Sequence, residues 1–586
     1  MSAIGNLGAR PIGAWRRAFV VTVLGLGAFI VLGRAFQLQV LERDFLTREG
    51  NKRHIRTMTI PAHRGAIRDR RGEPLALSAP VETIWVVPSA LLESPPHVTA
   101  LAKLLDRRTD EFDKFLKART DRKFVYVSDA LSPAAAQRIL SLKAPGVFSE
   151  PSYARYYPAG EVAGQLVGFT GRDDTGLEGI EKAQETVLAG HPGERRVIRD
   201  RQGRVVDDNL EFREAQPGDI VNLTIDLRIQ YLAYRELKNA VAQHRARGGL
   251  VVVADSATGD ILAIAAQPGF NPNNPGERAS KGTRNQAIVD SFEPGSTVKP
   301  LLVAQALELG IYQPSSLIDT TPGTFKVGAL TVRDVHPQGV VDLATLLSKS
   351  SNVGAAKIGM SLGAESVWSG YQRFGFGEPI YTGFPGEVAP LLRHFSDWGQ
   401  IATATASYGY GFSLNSLHLL RAYAALANDG LMPQIKLVRG GRPLPPQRAV
   451  SANTAREVRR MLEQVVTPEG TARRAAIAGY RVAGKTGTVR KVAETGGYAG
   501  NRHQSLFVGM VPAAHPRLVG LVMIDEPSAE GYYGGLVAAP VFSRVMQDAA
   551  RLLQISPDGT DAPELAPAAP RTVALPSTGL TTEPRT

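Results

Sequence analysis

Three separate stretches of this 586-residue chain carry residue types that, brought together, could move an acyl group. FEPGSTVKP (292–300) contains Ser296-x-x-Lys299, KSSNVG (349–354) contains Ser350-x-Asn352, and GYRVAGKTGT (479–488) ends in Lys485-Thr486-Gly487-Thr488. A serine hydroxyl needs a base to become a nucleophile, and an ordinary lysine is protonated at neutral pH. Burial and a nearby second cation would depress the Lys299 pKa, and Lys485 can be that cation. Pro294-Gly295 predicts a turn into a helix, which would put Ser296 at a helix N-terminus whose free N–H groups favour developing negative charge. Lys299 would lie one turn on, along the same face. Ser350 could relay a proton toward a leaving amine, while Asn352 could orient Lys299 and hydrogen-bond a substrate amide. On an edge strand, Lys485 to Thr488 would offer a cation and hydroxyls to a carboxylate, and Gly487 would let a substrate backbone approach closely. The backbone N–H groups of Ser296 and Thr488 would form an oxyanion hole.

The third stretch also fits a different chemistry. Read from Gly479 it is G-x-x-x-x-G-K-[ST], a phosphate-cradling loop, and LVGLVMIDE (518–526) resembles the apolar strand whose terminal acid holds Mg²⁺. That reading requires a buried strand before the loop and a helix opening after it. Here TARRAAIAGY precedes with a helical bias, and TGTVRKV follows with glycine and β-branched residues. With 59 glycines in the chain, chance matches are easy. Each acyl-transfer motif is common alone, but three in the required order favour acyl transfer.

The surrounding elements follow from periodicity and turn chemistry. GGLVVVADSATGDILAIAAQP (248–268) reads as a β-hairpin, helix-rich text fills 296–430, and strands return with RVAGKTGTV, SLFVGMVP and RLVGLVMIDE. Strands from both ends of a domain around a helical middle predict an α+β fold with an antiparallel sheet. PGDIVNLTIDLRIQYLAYREL (217–237) reads as a strand feeding an amphipathic helix, with the main boundary just before it. Upstream, 59–88 is β-rich text with a turn at Arg71-Gly72, followed by helical stretches near 97–120 and 131–142. From Ser556 the Pro/Ala/Thr-rich, aromatic-free text predicts disorder.

A chain of this length needs two or more cores. Its 43% hydrophobic and 21% charged residues are those of a globular protein. The net charge is +12, and the first 80 residues, with 13 basic against 5 acidic, hold +8 of it. That concentration suits anionic head groups, and no nucleic-acid motif accompanies it. Arg16-Arg17 precede the uncharged run Ala18–Gly33, closed by Arg34. Its 16 residues span roughly 24 Å as helix, and snorkelling arginines with the following AFQLQVL extend the reach, so an uncleaved membrane anchor is expected over a buried soluble helix. FQLQVLERDFLTREGNKRHIRT reads as the same helix leaving the membrane. Basic residues on both flanks leave topology open by the charge rule. The chain has no cysteine, which removes disulfides and thiolate metal sites, and its ten histidines show no metal-ligand spacing.

With these motifs in hand, the chain resembles the class B, monofunctional penicillin-binding proteins. RGAIRDRRGEPLA (64–76), RYYPAG (155–160), GLEGIE (176–181) and the single anchor look like their pedestal. SYGYGF (407–412) and YYGGLVAAPVFSRVMQDAARLL (532–553) look like the division-specific, FtsI-type branch. The resemblance implies a cytoplasmic tail (1–17), an anchor (18–40), a pedestal or dimerisation-type domain (41–215), a transpeptidase domain (216–555) and a disordered tail (556–586). It implies a periplasmic D,D-transpeptidase of septal peptidoglycan, held in the inner membrane and using no cofactor. Ser296 would attack the D-Ala-D-Ala carbonyl of a stem peptide, D-Ala would leave, and a neighbouring stem's amine would resolve the acyl-enzyme. A β-lactam would acylate Ser296 and stay. Implied partners are stem peptides, membrane lipid, a glycan polymerase and other division proteins. Alternatives are lateral-wall synthesis, a β-lactamase, for which no water-activating base is identifiable, and a non-catalytic penicillin sensor.

Three nearby features have plainer readings. Glu293 reads as a helix-start acid favoured by the dipole, and Arg64, Asp69 and Arg70 as a salt-bridged turn. Tyr408 and Tyr410 are read equally as packing residues or as the acceptor side of a cleft.

Overall fold

A computed structural model of the chain describes residues 13–45, 55–171, 173–199, 205–279, 281–441, 444–492 and 497–559. The tail expected from Ser556 thus lies almost wholly outside the described residues. Two compact units are present, one built from residues 1–63 and 190–218, the other from 64–189 and 219–586.

The first unit contains helix α1 (Ala14–Phe36), which continues into a π-helical turn over Gln37–Leu41. Together they form one helix of 28 residues, with an 18-residue window of mean hydropathy 2.1 in which none of the residues is buried among the described residues. At 1.5 Å per residue this reaches about 42 Å, more than a hydrocarbon core requires. The helix does not continue to Thr57 as the sequence suggested. Ile55–Ile60 is a strand, antiparallel to Gly193–Arg199, which pairs in turn with Val205–Arg213. Isoleucine and threonine in IRTMTI favour the pleated ladder over a helix.

In the second unit, residues 64–189 build a sheet around the long strand Pro74–Val86, flanked by Val125–Leu131 and Val147–Tyr156. Helices Pro95–Leu104, Thr109–Lys117 and Pro133–Leu140 cover it, burying Ile84, Val86, Leu101, Phe112 and Leu116. The turn before Pro74 is organised by Asp69 through hydrogen bonds, not ion pairs. One carboxylate oxygen accepts the N–H groups of Arg71 and Glu73, and the other accepts that of Leu227 at the start of helix α2 (Leu227–Gln243).

Arg64 belongs to a different structure. Its guanidinium, 2% exposed, meets fully buried Glu181 at 2.8 Å and Glu185 at 2.7 Å, while Arg155 meets the other Glu181 oxygen at 2.6 Å. Arg64, Arg155 and Glu181 come from RGAIRDRRGEPLA, RYYPAG and GLEGIE respectively, so one buried carboxylate binds the three motifs together. Removing a partner from such a cluster strands a charge away from water. Glu181→Gln is therefore expected to cost about 3–5 kcal/mol of stability, measured by urea unfolding of the detergent-solubilised chain.

The remainder is built on five antiparallel strands, β1 (Gly248–Asp255), β2 (Ile261–Gln267), β3 (Ala483–Val492), β4 (Tyr498–Val511) and β5 (Leu518–Asp525), in the order β2-β1-β5-β4-β3. The N-terminal hairpin forms one side, and the segment carrying Lys485 is the opposite edge. Strands β1, β2 and β5 are buried nearly throughout, as expected for a sheet covered on both faces. The helices that bear on the site and its sheet include α3 (Lys299–Glu308), α4 (Leu343–Lys349), α5 (Asn352–Arg373), α6 (Ser416–Ala427) and α7 (Ala539–Leu552). Gly249 of β1 faces Leu237 of α2, and Gly520 of β5 faces Phe542 and Met546 of α7. Helix α6 is buried on every side, the pattern of a core helix.

Candidate active site

Ser296 lies in a 3-10 turn, Gly295–Val298, directly before α3, and not in the first turn of an α-helix. The reason is local. Gly295 has φ +56°, a left-handed conformation that interrupts regular helical geometry, and a side chain there would come within 2.5 Å of Val489 on β3. The turn is tied on two sides. Its Gly295 N–H donates to Gly409 O at 2.9 Å, and the hydroxyl of Tyr423 on α6 donates to Thr297 O at 2.7 Å. Gly409, at φ +90°, passes so close to Gly295 that a Cβ would meet its carbonyl oxygen at 2.1 Å. SYGYGF is thus the cradle of the Ser296 turn.

Lys299 is the first residue of α3 and is fully buried. Its ammonium group contacts Ser350 O at 2.6 Å, Asn352 Oδ1 at 2.8 Å and Ser350 Oγ at 3.3 Å. Ser350 sits between α4 and α5 in a left-handed conformation, φ 60° and ψ 41°, which is costly for a residue with a side chain and recurs at functional sites. Ser351 then caps α5, accepting the Gly354 N–H at 2.9 Å. Lys485, also fully buried, approaches Ser350 Oγ at 2.9 Å from the edge strand β3. Three chain segments therefore converge on one hydroxyl.

The electrostatics oppose two tendencies. Burial, then the neighbouring Lys485 charge, push the Lys299 pKa well below the ordinary lysine value, with Asp334 pulling the other way. Burial lowers Lys485 to about 7. Yet the three acceptors around Lys299 match the three donors of an ammonium. As a free amine it would keep two of these bonds and turn its lone pair toward a hydroxyl. A lysine with both forms accommodated can take a proton and return it.

A cavity of about 570 Å³ opens over this group, lined by Ser296, Ser350, Asn352, Thr486, Thr488 and Tyr410 among others. The Thr486 hydroxyl is paired with that of Thr471 at 3.1 Å, and the Thr488 hydroxyl accepts the Gly534 N–H at 3.1 Å. Thr486 and Thr488 can therefore present hydroxyls to an anion in the cavity that Ser296 also lines, with the Lys485 ammonium buried next to them at Ser350 Oγ. Gly487 also has a use that the sequence did not suggest. A Cβ there would meet the Thr297 methyl at 2.9 Å, so the glycine lets the Ser296 turn approach β3. Tyr410 lines the cavity while Tyr408 is buried beside it, their rings 5.6 Å apart. Glu293 is not a dipole-favoured helix-start acid. Its carboxylate accepts the Gly411 N–H at 2.7 Å and fastens the tyrosine loop to the Ser296 segment.

The phosphate-loop pattern is not a phosphate loop. Residues 483–492 form a continuous strand paired with β4, and no helix opens after Lys485. Asp525 and Glu526, the acids in the position of a metal-binding strand end, each hold the Lys491 ammonium at 2.7 Å. Reasoning from sequence missed Asp334 and Thr471, whose partners lie in the next elements of the chain, and Gly409 and Tyr423, whose partners lie far away along it. Only the glycine-rich SYGYGF offered a signal, as text demanding special backbone angles.

Residues 249–547 match the family model for the penicillin binding protein transpeptidase domain, and residues 59–223 that for the penicillin-binding protein dimerisation domain. The chain is 39% identical over 546 residues to a probable peptidoglycan D,D-transpeptidase PenA of Neisseria gonorrhoeae, covering 92% of this chain and 93% of that one. It is 38% identical over 550 residues to the peptidoglycan D,D-transpeptidase FtsI of Escherichia coli, covering 93% of each. Among solved structures it is similar to the transpeptidase domain of Burkholderia pseudomallei penicillin-binding protein 3, at 40% identity and TM-score 0.53, covering 57% of this chain and 98% of that one. A peptidoglycan synthetase from Bifidobacterium adolescentis shares the fold, with TM-score 0.69 and 24% identity over 87% of this chain and 99% of that one.

Proposed function

This chain belongs to the penicillin-binding proteins as a serine-type peptidoglycan D,D-transpeptidase, and on that premise we propose how its residues divide the reaction. Lys299 as free amine takes the Ser296 proton while Ser296 Oγ attacks the penultimate D-Ala carbonyl, whose oxygen is held by the N–H groups of Ser296 and Thr488. Lys485, Thr486 and Thr488 hold the terminal carboxylate. The proton passes through Ser350 to the departing D-Ala amine, leaving an ester on Ser296. An amine from a neighbouring stem then attacks the ester, returning its proton by the same route and regenerating the serine. Asn352 keeps Lys299 in place throughout. The observation that carries this assignment is the convergence of Lys299, Asn352 and Lys485 on the Ser350 turn, which lines the same cavity as Ser296.

We assign the reaction to the division septum, with the apolar N-terminal helix as the anchor, residues 1–17 in the cytoplasm and the catalytic unit in the periplasm. The pedestal is placed at 41–215 and the transpeptidase domain at 216–555, with a membrane glycan polymerase and other division proteins as partners. One experiment with two arms tests the reading. The purified chain should release D-Ala from a pentapeptide stem in the presence of an amine acceptor, and a fluorescent fusion should concentrate at midcell. No D-Ala release would sink the residue assignment; an even side-wall signal would move the protein to lateral growth.

A further inference from the structure

The residue that organises the Ser350-x-Asn352 motif is not in it. Asp334 follows the hairpin of Thr324–Val327 and Leu330–Arg333, and its carboxylate is fully engaged with the motif. One oxygen accepts the N–H groups of Asn352 at 2.6 Å and Val353 at 2.9 Å, and the other accepts the Ser351 hydroxyl at 2.7 Å. Asn352 returns the contact, donating its amide to Arg333 O at 3.0 Å. The hairpin end and the α4–α5 junction are therefore clasped together at the residue after the strained Ser350.

Resting on the acyl-transfer reading above, we propose that Asp334 is a positioning residue for the reaction: its carboxylate both holds the Ser350 turn in its left-handed conformation and places a fixed negative charge behind Lys299. Two of the three bonds cap the first N–H groups of α5, where a carboxylate is favoured by the helix dipole, and the third holds the Ser351 hydroxyl. Bound there, the turn points Ser350 Oγ and Asn352 Oδ1 at Lys299, and it is these contacts that aim the base. The charged groups facing Lys299 are Lys485 from β3, which drives its proton off, and Asp334, which retains it. Lys349 and His336 line the same cavity, but the Lys349 ammonium is turned to Glu469 O at 2.7 Å. Asp334 thus offsets part of the Lys485 effect and sets how readily Lys299 gives its proton back.

Two substitutions separate position from charge. In Asp334→Asn the oxygen accepting the Asn352 and Val353 N–H groups is retained and the amide can donate to Ser351 Oγ, so geometry is kept while the charge is lost. In Asp334→Ala both are lost. The measurement is the second-order rate of acylation by a fluorescent penicillin from pH 5 to 9, on full-length protein. Removing a negative charge disfavours the Lys299 ammonium, so its pKa falls and the base stays free to lower pH. Asp334→Asn is expected to keep its maximal rate within about tenfold and to move the acidic limb down by about one pH unit. Asp334→Ala is expected to lose about 10²-fold in maximal rate, the size of effect seen when reacting groups are displaced by about 1 Å. An acidic limb that stays at the wild-type pH in Asp334→Asn, or a full rate in Asp334→Ala, overturns the proposal. Wild-type protein that fails to acylate would instead refute the reading on which it rests.

Discussion

Ser296→Ala is expected to abolish covalent labelling by a fluorescent penicillin and to lower D-Ala release by at least about 10⁴-fold, while leaving the fold intact. The size follows from what the hydroxyl does. An acyl-enzyme needs an atom that can carry the acyl group, and the alanine methyl supplies none. The groups around the position would remain, so a substrate could still bind through Lys485, Thr486 and Thr488, and its carbonyl could still meet the two backbone N–H groups. Such remnants can speed direct attack by water, which sets a floor on the loss without giving a covalent adduct. The substitution should leave structure alone because the turn around Ser296 is fixed by its backbone. Gly295 bonds to Gly409, Tyr423 to the Thr297 carbonyl, and the Thr297 hydroxyl to Pro294 O at 2.7 Å. Equal thermal unfolding of both proteins is the control. An adduct on the alanine variant would place the nucleophile elsewhere, and the cavity contains another serine, Ser350, to which it could be mapped.

That outcome bears on which parts of the site could be read without coordinates. Ser296, Lys299, Ser350, Asn352 and Lys485 were readable because each sits in a short pattern whose internal spacing is chemical: three residues place a base one turn from a hydroxyl, and alternation on a strand separates a buried cation from the hydroxyls beside it. The sheet was readable for a similar reason, since the hairpin of β1 and β2 has a turn between two apolar runs. What escaped was everything set by a partner distant in sequence. Nothing in TVRDVHPQG marks Asp334 as the cap of a helix that begins at Asn352. The packing of Gly487 against Thr297 escaped because a strand glycine signals close approach without naming what approaches. Arg64 looked like part of its local turn because Asp69 and Arg70 are adjacent, whereas its carboxylate partners are more than a hundred residues downstream. The helix predicted through Thr57 failed for a related reason: the strand at Ile55–Ile60 is stabilised by Gly193–Arg199, which no local window contains.

Lys299→Met should reduce the acylation rate by about 10²–10⁴-fold, the range attributed to a positioned general base, and should erase the acidic limb of its pH profile. Methionine matches the buried stem in length and polarity, so the loss would report the missing amine more than a cavity. The wild-type profile follows from the two lysines. Burial and the Lys485 charge push the Lys299 pKa well below the usual value, which favours the free amine, and acylation should fall as acid protonates it. Lys485 works in the opposite sense. It must be charged to hold a carboxylate, and burial lowers it to about 7 in the free protein, so kcat/KM should decline as pH rises through that region. Once a carboxylate is bound, the opposite charge stabilises the Lys485 ammonium and raises its pKa. The alkaline limb of kcat should therefore lie at higher pH than that of kcat/KM. Because the lysines interact, each limb belongs to the pair, and substituting one should move the other. Loss of the Lys485 charge relieves Lys299, whose pKa should rise, so in Lys485→Met the acidic limb is expected at higher pH. Coincident alkaline limbs for kcat and kcat/KM would show that Lys485 does not hold the carboxylate, and a surviving acidic limb in Lys299→Met would show that another group accepts the serine proton.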